Sequence, residues 1–173
     1  MMNFKIGKSK LFKEVYVITP DFFEDHRGLL YSSYIEKEFQ SKFGKNFSFN
    51  HNKFAHNKKN VLRGIHGDNS SFKMVSCVYG KIFQVVVDNR PYSETFLKHE
   101  TFEISHELPT QVLIPPGFGN AFLVLSDFAV YSYSLSYDGE YNDYDNQFTL
   151  NWNDKRININ WPIKEPILSK RDK

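Results

Sequence analysis

The stretch Val61-Leu62-Arg63-Gly64-Ile65-His66-Gly67-Asp68, followed by Lys73, opens on apolar residues and then gathers an arginine, a histidine, an aspartate and a lysine. An imidazole titrates near working pH and is the usual side chain for moving a proton. A guanidinium presents a planar fork of donors that suits phosphate oxygens, and a lysine ammonium can stand beside an oxygen that gains negative charge. Only five of the 22 basic residues are arginines, namely Arg27, Arg63, Arg90, Arg156 and Arg171. A chain that uses lysine for ordinary surface charge keeps arginine where a bidentate donor is needed. The competing readings are structural: a strand histidine that is merely satisfied, and arginines and a lysine in surface ion pairs of little energetic worth.

These groups need elements to hold them. Short or alternating apolar runs broken by Gly, Pro, Asn and Asp recur along the chain, among them VYVIT, GLLYSSYI, VLRGIH, MVSCVYG, KIFQVVVD, QVLIPP, AFLVLS and AVYSYSLSY. That density of short strands predicts a sandwich or barrel. One helix is expected over residues 35–43, where Ile35, Phe39 and Phe43 repeat at helical spacing and Gly44 can end the turn. In AVYSYSLSY a period of two puts Tyr131, Tyr133, Leu135 and Tyr137 on one face, so three phenols point the same way and need partners for their hydroxyls. On a regular strand Arg63 and His66 would face opposite ways, and a bulge at Gly64 is expected to turn both inward.

At 173 residues the chain is read as one domain, residues 1–173. The single Cys77 cannot pair within the chain, so a cytoplasmic setting is expected. Neither a signal-like start nor a run of membrane-spanning length is found. A net charge of +2, with lysines scattered rather than striped, argues against nucleic acid or a membrane as partner.

His66, Asp68, Lys73 and Gly80 follow the spacing of the first cupin motif, and Pro115-Pro116-Gly117-Phe118-Gly119-Asn120 follows the second. Lys73 replaces a metal ligand with a cation and Asn120 replaces a histidine, so no metal and no cofactor are expected. DHRG at 25–28, VLRGIHGD, FKMVSCVYGKIFQVVVDNR, IPPGFGNAFLVLS, the WND and INWP pieces and LSKRD occur in the order of a metal-free cupin family. The chain resembles the dTDP-4-dehydrorhamnose 3,5-epimerases over nearly its whole length. That resemblance implies an all-β cupin jelly roll with one or two short helices, forming a homodimer that epimerises a nucleotide-linked 4-keto-6-deoxy sugar.

A ketone at C4 acidifies the hydrogens at C3 and C5, so inversion needs a base on one face, a hold on the enolate and an acid opposite. The resemblance implies His66 as base, Asp172 in the terminal LSKRD segment as its carboxylate partner, Lys73 beside the C4 oxygen and Tyr131 as acid, with Tyr133 a rival that the same-face pattern cannot separate. Arg27 and Arg63 match pyrophosphate-binding arginines, and Tyr137 is expected to line the same pocket. The tail, which alone would pass for a frayed end, is expected to dock.

Departures from the family pattern direct the substrate expectation. Asn50-His51-Asn52-Lys53-Phe54 replaces a Gln-x-Asn-x-Ser segment, Ser32 stands near a glutamate position, and HGD and Asn120 replace residues near the sugar. His51, Asn52 and Asn120 are then candidate substrate contacts, and Gly67 is expected to make room for a larger sugar. These departures resemble the branch acting on GDP-linked 4-keto-6-deoxy-heptoses in capsule synthesis, so GDP rather than dTDP is expected, with C3 inverted and C5 left open. The alternatives are a dTDP-4-dehydrorhamnose 3,5-epimerase, a sugar-nucleotide 3,4-ketoisomerase and a non-catalytic sugar-binding cupin.

Overall fold

The computed structural model describes residues 3–141 and 143–173. The chain order is β1 (Phe4–Lys8), β2 (Tyr16–Pro20), β3 (Phe22–Asp25), β4 (Gly28–Tyr31), α1 (Glu36–Phe43), β5 (His51–Lys58), β6 (Leu62–Gly67), β7 (Phe72–Tyr79), β8 (Lys81–Asp88), β9 (His99–Ser105), β10 (Gln111–Ile114), β11 (Phe118–Val124), β12 (Phe128–Ser136) and β13 (Phe148–Thr149). A 3-10 turn covers Tyr144–Asn146. The jelly-roll expectation holds: one sheet runs β1-β2-β10-β7-β12-β5, the other β13-β6-β11-β8-β9, and β3–β4 is a separate hairpin. The sheets do not close into a barrel. The expected helix is present, ended by Gly44 at φ 112°, a conformation that glycine adopts freely.

The alternating strands sort their apolar residues into three layers. Between the sheets, Val75 and Tyr131 of one meet Val86, Phe118 and Phe122 of the other. On the outer face of the six-stranded sheet, Phe39 of α1 is fully buried among Ile18, Phe47, Met74 and Leu113. On the outer face of the five-stranded sheet, Ile65, Val85, Val87 and Ala121 are covered by Ile157, Ile159 and Trp161 from the chain after β13. That cover anchors the C-terminal segment. Ile167 N donates to Asn60 O at 2.8 Å and Leu62 N donates to Ile167 O at 3.0 Å, so the tail runs beside the start of β6. As expected, it docks rather than frays.

Candidate active site

A cavity of about 420 Å³ opens between the sheets, its walls supplied by β5, β6, β7, β11, β12, the connection between β12 and β13, and the C-terminal tail. The register of β6 against β11 explains why both Arg63 and His66 reach it. Asn120 pairs with His66 and Phe122 with Arg63, so three steps along β6 match two along β11. The extra residue is a bulge at Gly64–Ile65. Gly64 has φ +120°, and a Cβ there would lie 2.6 Å from both the Ala121 Cβ and the Asn120 carbonyl oxygen. Only glycine fits.

The docked tail completes the centre of the site. His66 Nε2 lies 2.5 Å from Asp172 Oδ1, and Ser169 Oγ donates to Asp172 Oδ2 at 2.7 Å. Burial raises the Asp172 carboxyl, but the hydrogen bonds from His66 and Ser169 outweigh it and hold the group below its usual range. An ionised carboxylate only accepts, so Nε2 carries the hydrogen and the lone pair is left on Nδ1. Lys73, almost wholly buried on β7, sets its Nζ 3.1 Å from Asp68 Oδ2. The other Asp68 oxygen accepts from the backbone N–H of Ser70 at 3.0 Å and of Ser71 at 2.6 Å. Burial pulls the Lys73 ammonium down in pKa and Asp68 opposes that pull. Asp68 itself is held low: burial raises it, and Lys73 with the two backbone donors outweighs that.

The two rival phenols differ in depth. Tyr131 is 1% exposed, stacks on Phe122 with ring centroids 3.9 Å apart, and gives its hydroxyl to Gln84 Oε1 at 3.0 Å and Asn120 Oδ1 at 3.1 Å. Burial drives its pKa well above the ordinary value. Tyr133, two residues on, also lines the cavity but is only partly buried, and its hydroxyl has no hydrogen bond among the described residues. Its pKa is raised, by burial first and Asp143 second.

The cavity also collects positive charge. Asn57 Oδ1 accepts from Arg63 Nε at 2.7 Å, which orients the guanidinium and leaves its outer nitrogens for a ligand. Lys53 lies 4.3 Å over the Tyr141 ring and 3.8 Å from the Asp143 carboxylate, and Arg171 lies 4.6 Å over the Tyr144 ring. Among the described residues, no three His, Cys, Asp or Glu side chains group as metal ligands would.

Of the residues singled out in the sequence, His66, Lys73, Asp172, Tyr131, Arg63 and Asn120 share this cavity. Four do not line it in this chain. Arg27 caps the β3–β4 hairpin, 75% exposed and paired with Asp25 at 2.6 Å. Asn52 falls on the outer face of β5, because the strand's alternation turns Lys53 and Ala55 inward instead. His51 and Tyr137 sit behind Tyr141, their rings 5.1 and 5.3 Å from it. The room expected at Gly67 is absent too: a Cβ there would meet the Phe118 carbonyl and the Phe148 ring, so the glycine admits close packing of β13 rather than substrate. Lys53, Gln84, Ser169 and Arg171 were missed. Period two along β5 could have found Lys53, whereas Gln84 sits in an apolar run, KIFQVVVD, with no local mark of its partners.

A family model described as dTDP-4-dehydrorhamnose 3,5-epimerase matches residues 9–173. The dTDP-4-dehydrorhamnose 3,5-epimerase of Escherichia coli is 37% identical over 164 residues, covering 92% of this chain and 87% of that one. The solved structure of a dTDP-6-deoxy-D-glucose-3,5-epimerase from Legionella pneumophila in complex with dTDP-4-keto-L-rhamnose has a TM-score of 0.88 at 31% identity, over 99% of this chain and 90% of that one. A 3'-monoepimerase from Streptomyces bikiniensis in complex with dTDP-quinovose gives the same TM-score and identity over 96% and 84%. The two solved structures hold dTDP sugars, the Escherichia coli relative is named for one, and nothing among the comparisons supports the expected GDP-heptose branch.

Proposed function

The chain belongs to the dTDP-4-dehydrorhamnose 3,5-epimerase family, an isomerase class, and on that footing we propose that it inverts C3 and C5 of dTDP-4-keto-6-deoxyglucose. The substrate thus departs from the GDP-linked heptose expected from HGD and Asn120, since the relatives point to dTDP and Gly67 opens no extra room. The observation that carries the reading is the His66–Asp172 pair at the wall of a cavity that also holds a buried lysine and a phenol, Tyr133, with no hydrogen bond among the described residues.

In this mechanism His66 Nδ1 takes the proton from C3, and the electron pair of that C–H bond moves into a C3–C4 double bond while the C4 oxygen becomes anionic. Asp172 stabilises the imidazolium that forms, with the benefit that an opposite charge at hydrogen-bond distance brings. Lys73 faces the oxyanion. The double bond then takes a proton on its other face, and Tyr133 is assigned as the donor in place of Tyr131, whose proton is already committed to two amide oxygens. Arg63, with Lys53 and Arg171 nearby, holds the diphosphate. Once the imidazolium has lost its proton to solvent and the phenolate has regained one, the same base and acid serve C5 as the sugar shifts.

A homodimer belongs to the same reading. Phe54, Val78 and Phe128 are exposed on the outer face of the six-stranded sheet, and Phe22, Phe23 and Leu30 on the hairpin. Apolar groups in such number suit burial against a second copy, which would also give Arg27 a cavity to approach.

The test is incubation with dTDP-4-keto-6-deoxyglucose in deuterated water, followed by NMR. Deuterium at C3 and C5 with inversion at both is expected. Exchange at C3 alone would reduce the enzyme to a monoepimerase, and absence of exchange at either carbon would end the proposal. Faster turnover of a GDP-linked analogue would reverse the nucleotide assignment.

A further inference from the structure

Asn120 keeps two N–H donors that the fold leaves to the cavity, and the cause can be followed back to a backbone carbonyl. Gln84, on β8, is fully buried. Its amide places one terminal atom 3.0 Å from the Val85 carbonyl oxygen, which can only accept, so that atom is the nitrogen Nε2. The flip of Gln84 is thereby fixed. The other hydrogen on Nε2 points to Asn120 at 2.6 Å, which requires Asn120 to turn its oxygen, Oδ1, toward Gln84. The Tyr131 hydroxyl shares its single proton between Gln84 Oε1 and the same Asn120 oxygen. What remains is Asn120 Nδ2. It has no hydrogen bond among the described residues, Asn120 lines the cavity, and its register partner on β6 is His66.

A carboxamide has nearly the same shape either way round but opposite chemistry at its two ends. Turned over, Asn120 would offer a carbonyl to an enolate and repel it. Held as it is, it offers donors.

We infer that Asn120 donates from Nδ2 to the sugar oxygen that gains charge when His66 removes the proton, and that Gln84 is a positioning residue that keeps this donor facing outward. The inference rests on the epimerase reading above. It adds a neutral donor to the lysine at the same oxygen, and it gives the buried Gln84 a role that an apolar residue of similar size could not fill.

Asn120→Asp separates donor from shape, because the carboxylate still accepts from Gln84 and Tyr131 but replaces the outward N–H groups with an oxygen. With dTDP-4-keto-6-deoxyglucose, kcat is expected to fall about 100-fold, the scale for losing one oxyanion donor, while KM changes little. Lowering the pH should restore part of the rate, since a protonated carboxyl can donate again. Wild-type kcat in Asn120→Asp would overturn the donor. Gln84→Glu removes the N–H that holds Asn120 and is expected to cost about tenfold in kcat. In an Asn120→Ala background the same change should cost nothing further, because a residue acting through Asn120 has nothing left to act on. An equal loss in both backgrounds would make Gln84 merely structural and overturn its positioning role. Should Gln84→Glu fail to fold, Gln84→Met is read in the same two backgrounds, and Asn120→Asp with its pH profile decides the donor independently. An inert wild-type enzyme would overturn the epimerase reading itself, whereas an active wild type beside a fully active Asn120→Asp would remove this inference alone.

Discussion

Asp88 and Asp172 are both carboxylates removed from water, and the fold treats them differently. Asp88, at the end of β8, is fully buried and receives the Arg90 backbone N–H at 3.0 Å, Arg90 Nε at 2.9 Å, Arg90 Nη2 at 2.8 Å, and Ser93 Oγ and Thr95 Oγ1 both at 2.6 Å. Burial raises its pKa, but these donors outweigh burial and leave it at about 2. Asp172 receives Ser169 and one imidazole, and that imidazole keeps a second nitrogen for the cavity. A carboxylate whose acceptor sites are all filled from its own loop ties the structure together. One whose partner is shared with open space can hold that partner's ring in place for chemistry at its other nitrogen. Asp68 lies between the two: two backbone N–H groups fill one oxygen, and the other faces Lys73, which lines the cavity.

The comparison breaks most visibly at His66. His66→Ala should lower deuterium exchange at C3 by about 1000-fold or more, within the range for a lost general base, with the thermal midpoint little changed. A rate near wild type would mean that the Asp172 side of the comparison carries no chemistry. Next in size is the acid. Tyr133→Phe should lower inversion about 100-fold while exchange from the starting face continues, and Tyr131→Phe should cost less than about tenfold; the opposite ranking by NMR would return the acid to Tyr131.

Asp88→Asn probes the saturated carboxylate. It should lower stability to urea on the order of 2 kcal/mol at neutral pH and leave kcat of the folded enzyme unchanged. The sign follows from the depressed pKa. The stabilisation is fully present above about 4 and is lost as pH falls through about 2. The wild type should therefore show an acid limb of unfolding in that window, and the variant a flatter one. The smallest effect belongs to the intermediate case. Burial already draws the Lys73 ammonium down and Asp68 resists, so Asp68→Asn should move the alkaline limb of activity to lower pH. An unmoved limb would place Asp68 with Asp88, as structure alone.

Much of the architecture was legible because strand alternation is local. The run AVYSYSLSY at 129–137 carries its period of two in the sequence, the apolar runs within 72–88 and 111–124 read as strands from their length and the turn residues that bound them, and Gly64 announced the bulge because two groups three apart had to share a face. The period also set a limit. Tyr131 and Tyr133 lie on one face of β12 by parity alone and both line the cavity, and only the neighbours across the sandwich, Gln84, Asn120 and Phe122, bury one and engage its hydroxyl while leaving the other's without a hydrogen bond among the described residues. Gly67 misled for a similar reason, since a missing side chain reads as space until Phe148 is found filling it.

The partnership of His66 with Asp172 spans 106 positions. It was expected from resemblance to a family rather than from any spacing. By itself the sequence determined the alternating strands, the bulge glycine and the supply of an imidazole, a lysine, phenols and arginines, because backbone preference and side-chain chemistry belong to each residue and its near neighbours. Which of those groups meet, which amide faces outward and which phenol is free were decided by packing two sheets and a tail together, because hydrogen-bond partners and solvent access depend on residues that only the folded chain brings into contact.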